Sequence, residues 1–133
     1  MRDPESKRTF YHSLWDALRG IGFTWAAERN FRIHTMMGVL AIVMGISLHI
    51  NRREWLALSI CILMVIMAEM FNTSIEVLVD LVTRKKKYRA MLSKDIAAGA
   101  VLIAAFNAAL TGGIIFIPKI WLILTGGGFF LEF

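Results

Sequence analysis

One stretch limits what this chain can become: Ala68-Glu69-Met70-Phe71-Asn72-Thr73-Ser74-Ile75-Glu76-Val77-Leu78-Val79-Asp80, set in an otherwise apolar run. At 100° per residue, Asn72, Thr73, Glu76 and Asp80 fall about −60°, +40°, −20° and +20° from Glu69. All five therefore share one stripe of a helix that is apolar elsewhere. The run from Trp55 to Val82 would be roughly 42 Å long as a helix, more than a bilayer core of about 30 Å. Ionisable side chains at membrane depth are costly, and where they persist they line a site or a water-filled cavity. Three carboxylates in register thus mark a candidate site.

The remaining composition agrees with a membrane setting. A chain of 133 residues with 57% hydrophobic residues and a mean hydropathy of +0.61 is too apolar for an ordinary soluble domain. The expectation is a single all-α integral membrane domain. Cys61 is the only cysteine, so an intrachain disulfide and a Cys-based zinc site are excluded, and it reads as a small buried side chain. No nucleic-acid-binding signature is present. The first thirty residues carry charges throughout and no apolar signal core, so no cleavable signal peptide is expected.

Along the chain, residues 1–6 are polar, include Pro4, and are expected to fray. From 9 to 28, Phe10, Leu14, Leu18, Ile21 and Trp25 recur at three- and four-residue steps, the pattern of an amphipathic surface helix in the headgroup layer. Residues 31–50 form a first membrane helix, with Arg32 placed to snorkel and His34 and His49 read as interfacial. Residues 55–82 form the second. A basic loop from Arg84 to Arg89 follows, then Ser93-Lys94-Asp95 and a third membrane helix over 96–117, ended by Pro118. Ala100, Ala104, Ala108 and Gly112 make a ridge of small side chains suited to close helix packing, and Asn107 is expected to hydrogen-bond a neighbouring helix. Residues 118–133 read as a flexible tail; its glycines precede no Lys-Ser or Lys-Thr pair, so no P-loop is implied.

Lys and Arg fall six before Ile33, two in the first loop, six from Arg84 to Lys94 and one at Lys119. That asymmetry puts the amino terminus and the second loop in the cytoplasm. Glu28, the Glu69–Asp80 stripe and Lys94-Asp95 then converge on the inner membrane boundary. Magnesium takes one or two carboxylates plus substrate phosphates, which suits a pair such as Glu28 and Glu76. A lysine beside it can meet charge developing on a transferred phosphate. A partly desolvated carboxylate, as Glu69 should be, can take a hydroxyl proton. A proton-conducting oligomer would also keep buried carboxylates, but it needs polar residues across the whole membrane, and Leu56 to Ala68 offers only Ser59 and Cys61.

With those residues in view, the chain resembles the small integral-membrane diacylglycerol kinase and undecaprenol kinase family over about Ser13 to Lys119. The match is carried by Glu-Met-Phe-Asn-Thr-Ser-Ile-Glu at 69–76, Val79-Asp80, and Lys94-Asp95 before an alanine-rich helix. The resemblance implies a bacterial inner-membrane enzyme: a homotrimer of three-helix protomers, each with a surface helix, with sites shared between protomers at the cytoplasmic face. It implies Mg-ATP as phosphoryl donor and a lipid hydroxyl as acceptor. Under it, Glu69 is the general base and touches the lipid. Glu28 and Glu76 are the magnesium ligands at the nucleotide, Asn72, Lys94 and Asp95 contact the nucleotide, and Asp80 closes its pocket. Glu28-Arg29-Asn30-Phe31-Arg32-Ile33-His34 and Lys94-Asp95-Ile-Ala-Ala-Gly-Ala-Val resemble the undecaprenol branch, favouring a polyprenol over diacylglycerol as acceptor. One departure is the wholly basic Arg84–Lys87 loop, where relatives generally carry an acid or a histidine near the adenine.

Overall fold

A computed structural model describes residues 10–85 and 87–126. The described residues form four helices and no strand: α1 (Phe10–Ala27), α2 (Arg29–Ser47), α3 (Arg52–Val82) and α4 (Tyr88–Leu124). The expected fraying of residues 1–6 and the end of the tail from 127 lie outside the described residues. Helices α2, α3 and α4 are each long and apolar enough to cross a membrane. α3 and α4 pack together along much of their length, α2 lies against α3, and α1 touches α2 and α3.

Glu28 is the single non-helical residue between α1 and α2, with extended backbone (φ −106°, ψ 118°). The break expected at residues 29–30 thus falls on Glu28 alone, and α2 begins at Arg29. Arg32 does not simply snorkel: its Nη1 donates to the carbonyls of Trp25 (3.0 Å) and Ala26 (3.2 Å). A guanidinium there satisfies open carbonyls at the end of α1 and meets the negative end of its dipole. The Trp25 and Phe31 rings pack edge-on across the corner, centroids 6.3 Å apart. The α1 stripe of Phe10, Leu14, Leu18, Ile21 and Trp25 stays exposed, uncovered by the rest of the described chain.

At the opposite end of the bundle, α2 stops at Ser47, short of the Ile50 expected. Ile50 N–H donates to Gly45 O (3.1 Å) and His49 N–H to Ile46 O (3.2 Å), with His49 in the left-handed region at φ 49°. This is a Schellman closure. Asn51 then caps α3: its side chain accepts from the backbone N–H groups of Arg53 and Glu54, and Glu54 Oε2 accepts from Asn51 N–H at 2.7 Å. That reciprocal capping box starts α3 at Arg52, three residues before the expected Trp55. Ile50, Leu58, Ile115 and Phe116 form a buried apolar knot here, with Met44, Leu48, Trp55 and Ile62 around it. Lys119 Nζ sits 3.3 Å from Glu54 and ties α4 to the start of α3.

Two expectations about α4 are corrected. It starts at Tyr88 instead of residue 96, so Lys94 and Asp95 lie on its second turn. It also runs through Pro118 to Leu124, so residues 118–124 are helix, not tail. Proline removes one donor, and neighbouring packing lets a membrane helix tolerate that loss. The helix ends where Gly126 adopts φ 67°, a conformation glycine takes without steric cost. Mid-membrane, Asn107 Nδ2 lies 3.5 Å from Cys61 Sγ and Cys61 Sγ 3.4 Å from Thr111 Oγ1, so Asn107 meets a neighbouring helix as expected. Within the small-residue ridge, Ala104 is buried and Ala100 exposed.

Candidate functional site

The polar stripe of α3 divides by depth. Glu69, Asn72 and Thr73 are buried, Glu76 is half-buried and Asp80 is exposed. The helix thus grades from a carboxylate with 2% exposure to one in solvent. Thr73 Oγ1 donates back to Glu69 O (2.9 Å), the usual outlet for a threonine hydroxyl inside an apolar helix. Asn72 Nδ2 donates to Glu76 Oε1 (2.9 Å), which fixes the Asn72 amide with its oxygen on the other side. Among the described residues, two buried acceptors are left without a hydrogen-bond partner: Glu69 Oε1 and Asn72 Oδ1. Orphan buried acceptors are uncommon and costly, and two at one place mark a centre short of donors or of a cation.

Glu28, from the α1–α2 corner, and Glu76 both lie within electrostatic range of Glu69, so the three carboxylates are brought together. So is His34 of α2, whose Nε2 is 3.3 Å from Glu69 Oε1. That approach is off the N–H axis, and Oε1 accepts no hydrogen bond from it. The sequence reads His34 as interfacial, and the structure makes it a site neighbour. The signal available was its register with Gly38 and Gly45, four and eleven residues on, which puts all three on one face of α2.

Lys94 and Asp80 stand at the solvent end. Lys94 Nζ lies 2.6 Å from Asp80 Oδ1, linking α4 to α3 beside the basic loop. Lys94 is thereby near Glu76 as well. Asp95 makes no ion pair among the described residues. The structure therefore gathers Glu28, Glu69, Asn72 and Glu76 at the inner end, and Asp80 with Lys94 above them.

The donors present fit a hard cation. Glu28, Glu76 and the unpartnered Asn72 Oδ1 offer oxygen atoms of the kind Mg²⁺ takes, and Mg²⁺ needs few from protein because phosphate and water complete its shell. Among the described residues no cluster of three His, Cys, Asp or Glu side chains is spaced to hold a metal unaided. On the membrane side, an apolar groove of about 480 Å³ runs between α2, α3 and α4. It is lined by Met37, Met44, Leu58, Val65, Ala108 and Phe116 among others, with His34 on its wall. The arrangement joins an apolar groove, a buried carboxylate and an exposed charged pair.

Comparison with known proteins agrees with this. The family model for prokaryotic diacylglycerol kinase matches residues 15–116. The chain is 36% identical over 111 residues to an undecaprenol kinase of Bacillus subtilis, covering 84% of this chain and 90% of that one. It is 37% identical over 105 residues to a diacylglycerol kinase of Synechocystis, covering 78% of this chain and 60% of that longer relative. A diacylglycerol kinase of Escherichia coli is 28% identical over 93 residues, 70% of this chain and 76% of its own.

Proposed function

The chain belongs to the prokaryotic diacylglycerol kinase family, a membrane protein family, and from that premise we propose a lipid kinase that moves the γ-phosphate of ATP to the hydroxyl of a membrane lipid. The observation that carries this reading is Glu69: a carboxylate withdrawn from water, with Oε1 unpartnered, beside a groove open to lipid and below a charged rim open to nucleotide.

The residues divide the work. Glu69 Oε1 takes the proton of the lipid hydroxyl as that oxygen bonds to the γ-phosphorus and the bond to the β–γ bridging oxygen breaks, releasing ADP. Glu28 and Glu76, with Asn72 Oδ1, would hold the nucleotide's Mg²⁺, which would supply positive charge to neutralise the phosphates. Lys94 exchanges its partner Asp80 for phosphate oxygens, and the freed Asp80 borders the nucleotide pocket with Asp95. The basic Arg84–Lys87 loop attracts the triphosphate to this rim.

The acceptor in this proposal is undecaprenol. Support comes from the Bacillus subtilis undecaprenol kinase, which aligns over 90% of its length. Diacylglycerol is the second reading, favoured by the name of the Synechocystis relative. The many exposed apolar side chains on the spanning helices, such as Met36, Leu63, Leu102 and Ile103, support a setting within lipid, and the homotrimer rests on the family resemblance. The distribution of basic residues supports an inner-membrane protein with its site on the cytoplasmic face. Initial rates with undecaprenol and diacylglycerol in one mixed micelle, with Mg-ATP, test the assignment. Faster phosphorylation of undecaprenol is expected. Faster diacylglycerol turnover reverses the acceptor, and no transfer to either refutes the kinase.

A further inference from the structure

His34 has no part in the roles above, yet it is the ionisable side chain in contact with Glu69, Nε2 to Oε1 at 3.3 Å. It is 27% exposed where Glu69 is 2% exposed, and it also lines the apolar groove. Among the groove-lining residues only Cys61 otherwise carries a titratable group. No hydrogen bond from a described residue reaches the Glu69 carboxylate; Thr73 spends its hydroxyl on the Glu69 backbone carbonyl. The other charged groups around it, Glu28 and Glu76, are themselves carboxylates, so among the described residues the imidazole is the polar ring placed to orient the Glu69 side chain.

The off-axis approach matters. A ring N–H aimed along the lone pair would occupy the oxygen that has to accept a proton. At 3.3 Å and off axis, the ring packs against the carboxylate and Oε1 keeps its acceptor capacity.

Resting on the reading of Glu69 as general base, we propose that His34 is a positioning residue: its imidazole, at the wall of the apolar groove, packs against the Glu69 carboxylate and keeps it aimed at the acceptor hydroxyl. His34 acts through Glu69 and does not take the proton itself. The nucleotide end of the site, Lys94 with Asp80, lies on other elements and does not depend on it.

The test compares the full-length protein with His34→Leu and His34→Gln in mixed micelles with undecaprenol and Mg-ATP. His34→Leu is expected to lower kcat about 10- to 100-fold, the scale of misplacing one catalytic group, with KM for Mg-ATP unchanged. His34→Gln keeps a polar side chain that can pack against the carboxylate and is expected to recover most of that loss. A second readout needs no turnover. The ring ¹⁵N resonances of His34, identified by their disappearance in His34→Gln, are expected to shift between wild type and Glu69→Gln. An active wild type in which His34→Leu keeps full turnover, or in which Glu69→Gln leaves the His34 resonances unmoved, overturns the positioning role alone. A wild type that phosphorylates no lipid alcohol overturns the kinase reading and this role with it. Should His34→Leu fail to assemble, the Gln variant and the resonances decide.

Discussion

Replacing Glu69 by Gln keeps the shape of the side chain and removes its capacity to take a proton. Glu69 is buried to 2% exposure and Gln has almost the same volume, so no cavity or clash is created. The side chain it faces, His34, is part-exposed and makes no hydrogen bond to Oε1, so the change in unfolding free energy should stay within about 1 kcal/mol. General-base contributions run from about 10²- to 10⁴-fold, which is roughly 2.7 to 5.4 kcal/mol of transition-state stabilisation. The variant is therefore expected to lose at least about a hundredfold in kcat while binding Mg-ATP with unchanged affinity. Glu69→Asp retains a carboxylate but draws it back by one methylene, and should fall between the two. Labelled phosphate transfer from ATP to lipid gives the rate, and an unfolding titration in denaturing detergent gives the stability. Wild-type turnover by Glu69→Gln would falsify the base assignment. A rate loss matched by an equal loss of stability would assign the effect to the fold.

The other predictions are local. Gly45→Ala places a Cβ 2.9 Å from Trp55 Cη2 and 3.0 Å from Ile50 Cδ1, so it should destabilise by about 1–3 kcal/mol in the same titration. Gly20→Ala meets nothing within 4 Å and should stabilise α1 by up to about 1 kcal/mol. His49→Gly relieves a left-handed residue at φ 49° and should raise stability by about 1 kcal/mol. Lys94→Met should raise KM for Mg-ATP, measured with acceptor saturating, while Asp80→Asn leaves the unfolding midpoint unchanged because the pair is exposed. Chelation should stop turnover and added Mg²⁺ restore it, and Glu76→Gln should raise the Mg²⁺ concentration for half-maximal rate.

The site is legible in sequence to the extent that it lies on one helix. Glu69, Asn72, Glu76 and Asp80 share a stripe because 3.6 residues make a turn, and that periodicity can be counted without a structure. Glu28 and Lys94 are placed near them by topology, since the connections on either side fall at one membrane boundary. His34 escapes a sequence reading because a lone histidine at a helix end is ambiguous. What selects its role is the rotation of α2 about its own axis. Gly38 and Gly45 are buried on the α2 face toward α3, where an added methyl would come within 3.1 Å of Ile62 and 2.9 Å of Trp55, and that close contact turns α2.

By itself, the sequence determined the number of membrane helices, the polar stripe on α3 and the side on which basic charge collects. Each follows from the period of a helix or from the cost of placing charge in hydrocarbon, and both act within a segment. Tertiary structure alone decided that His34 abuts Glu69, that Lys94 pairs with Asp80, that Asn107 and Thr111 flank Cys61, and that α4 continues through Pro118. These depend on helix rotation and on which neighbour covers a disrupted turn, and such relations between segments are set by packing.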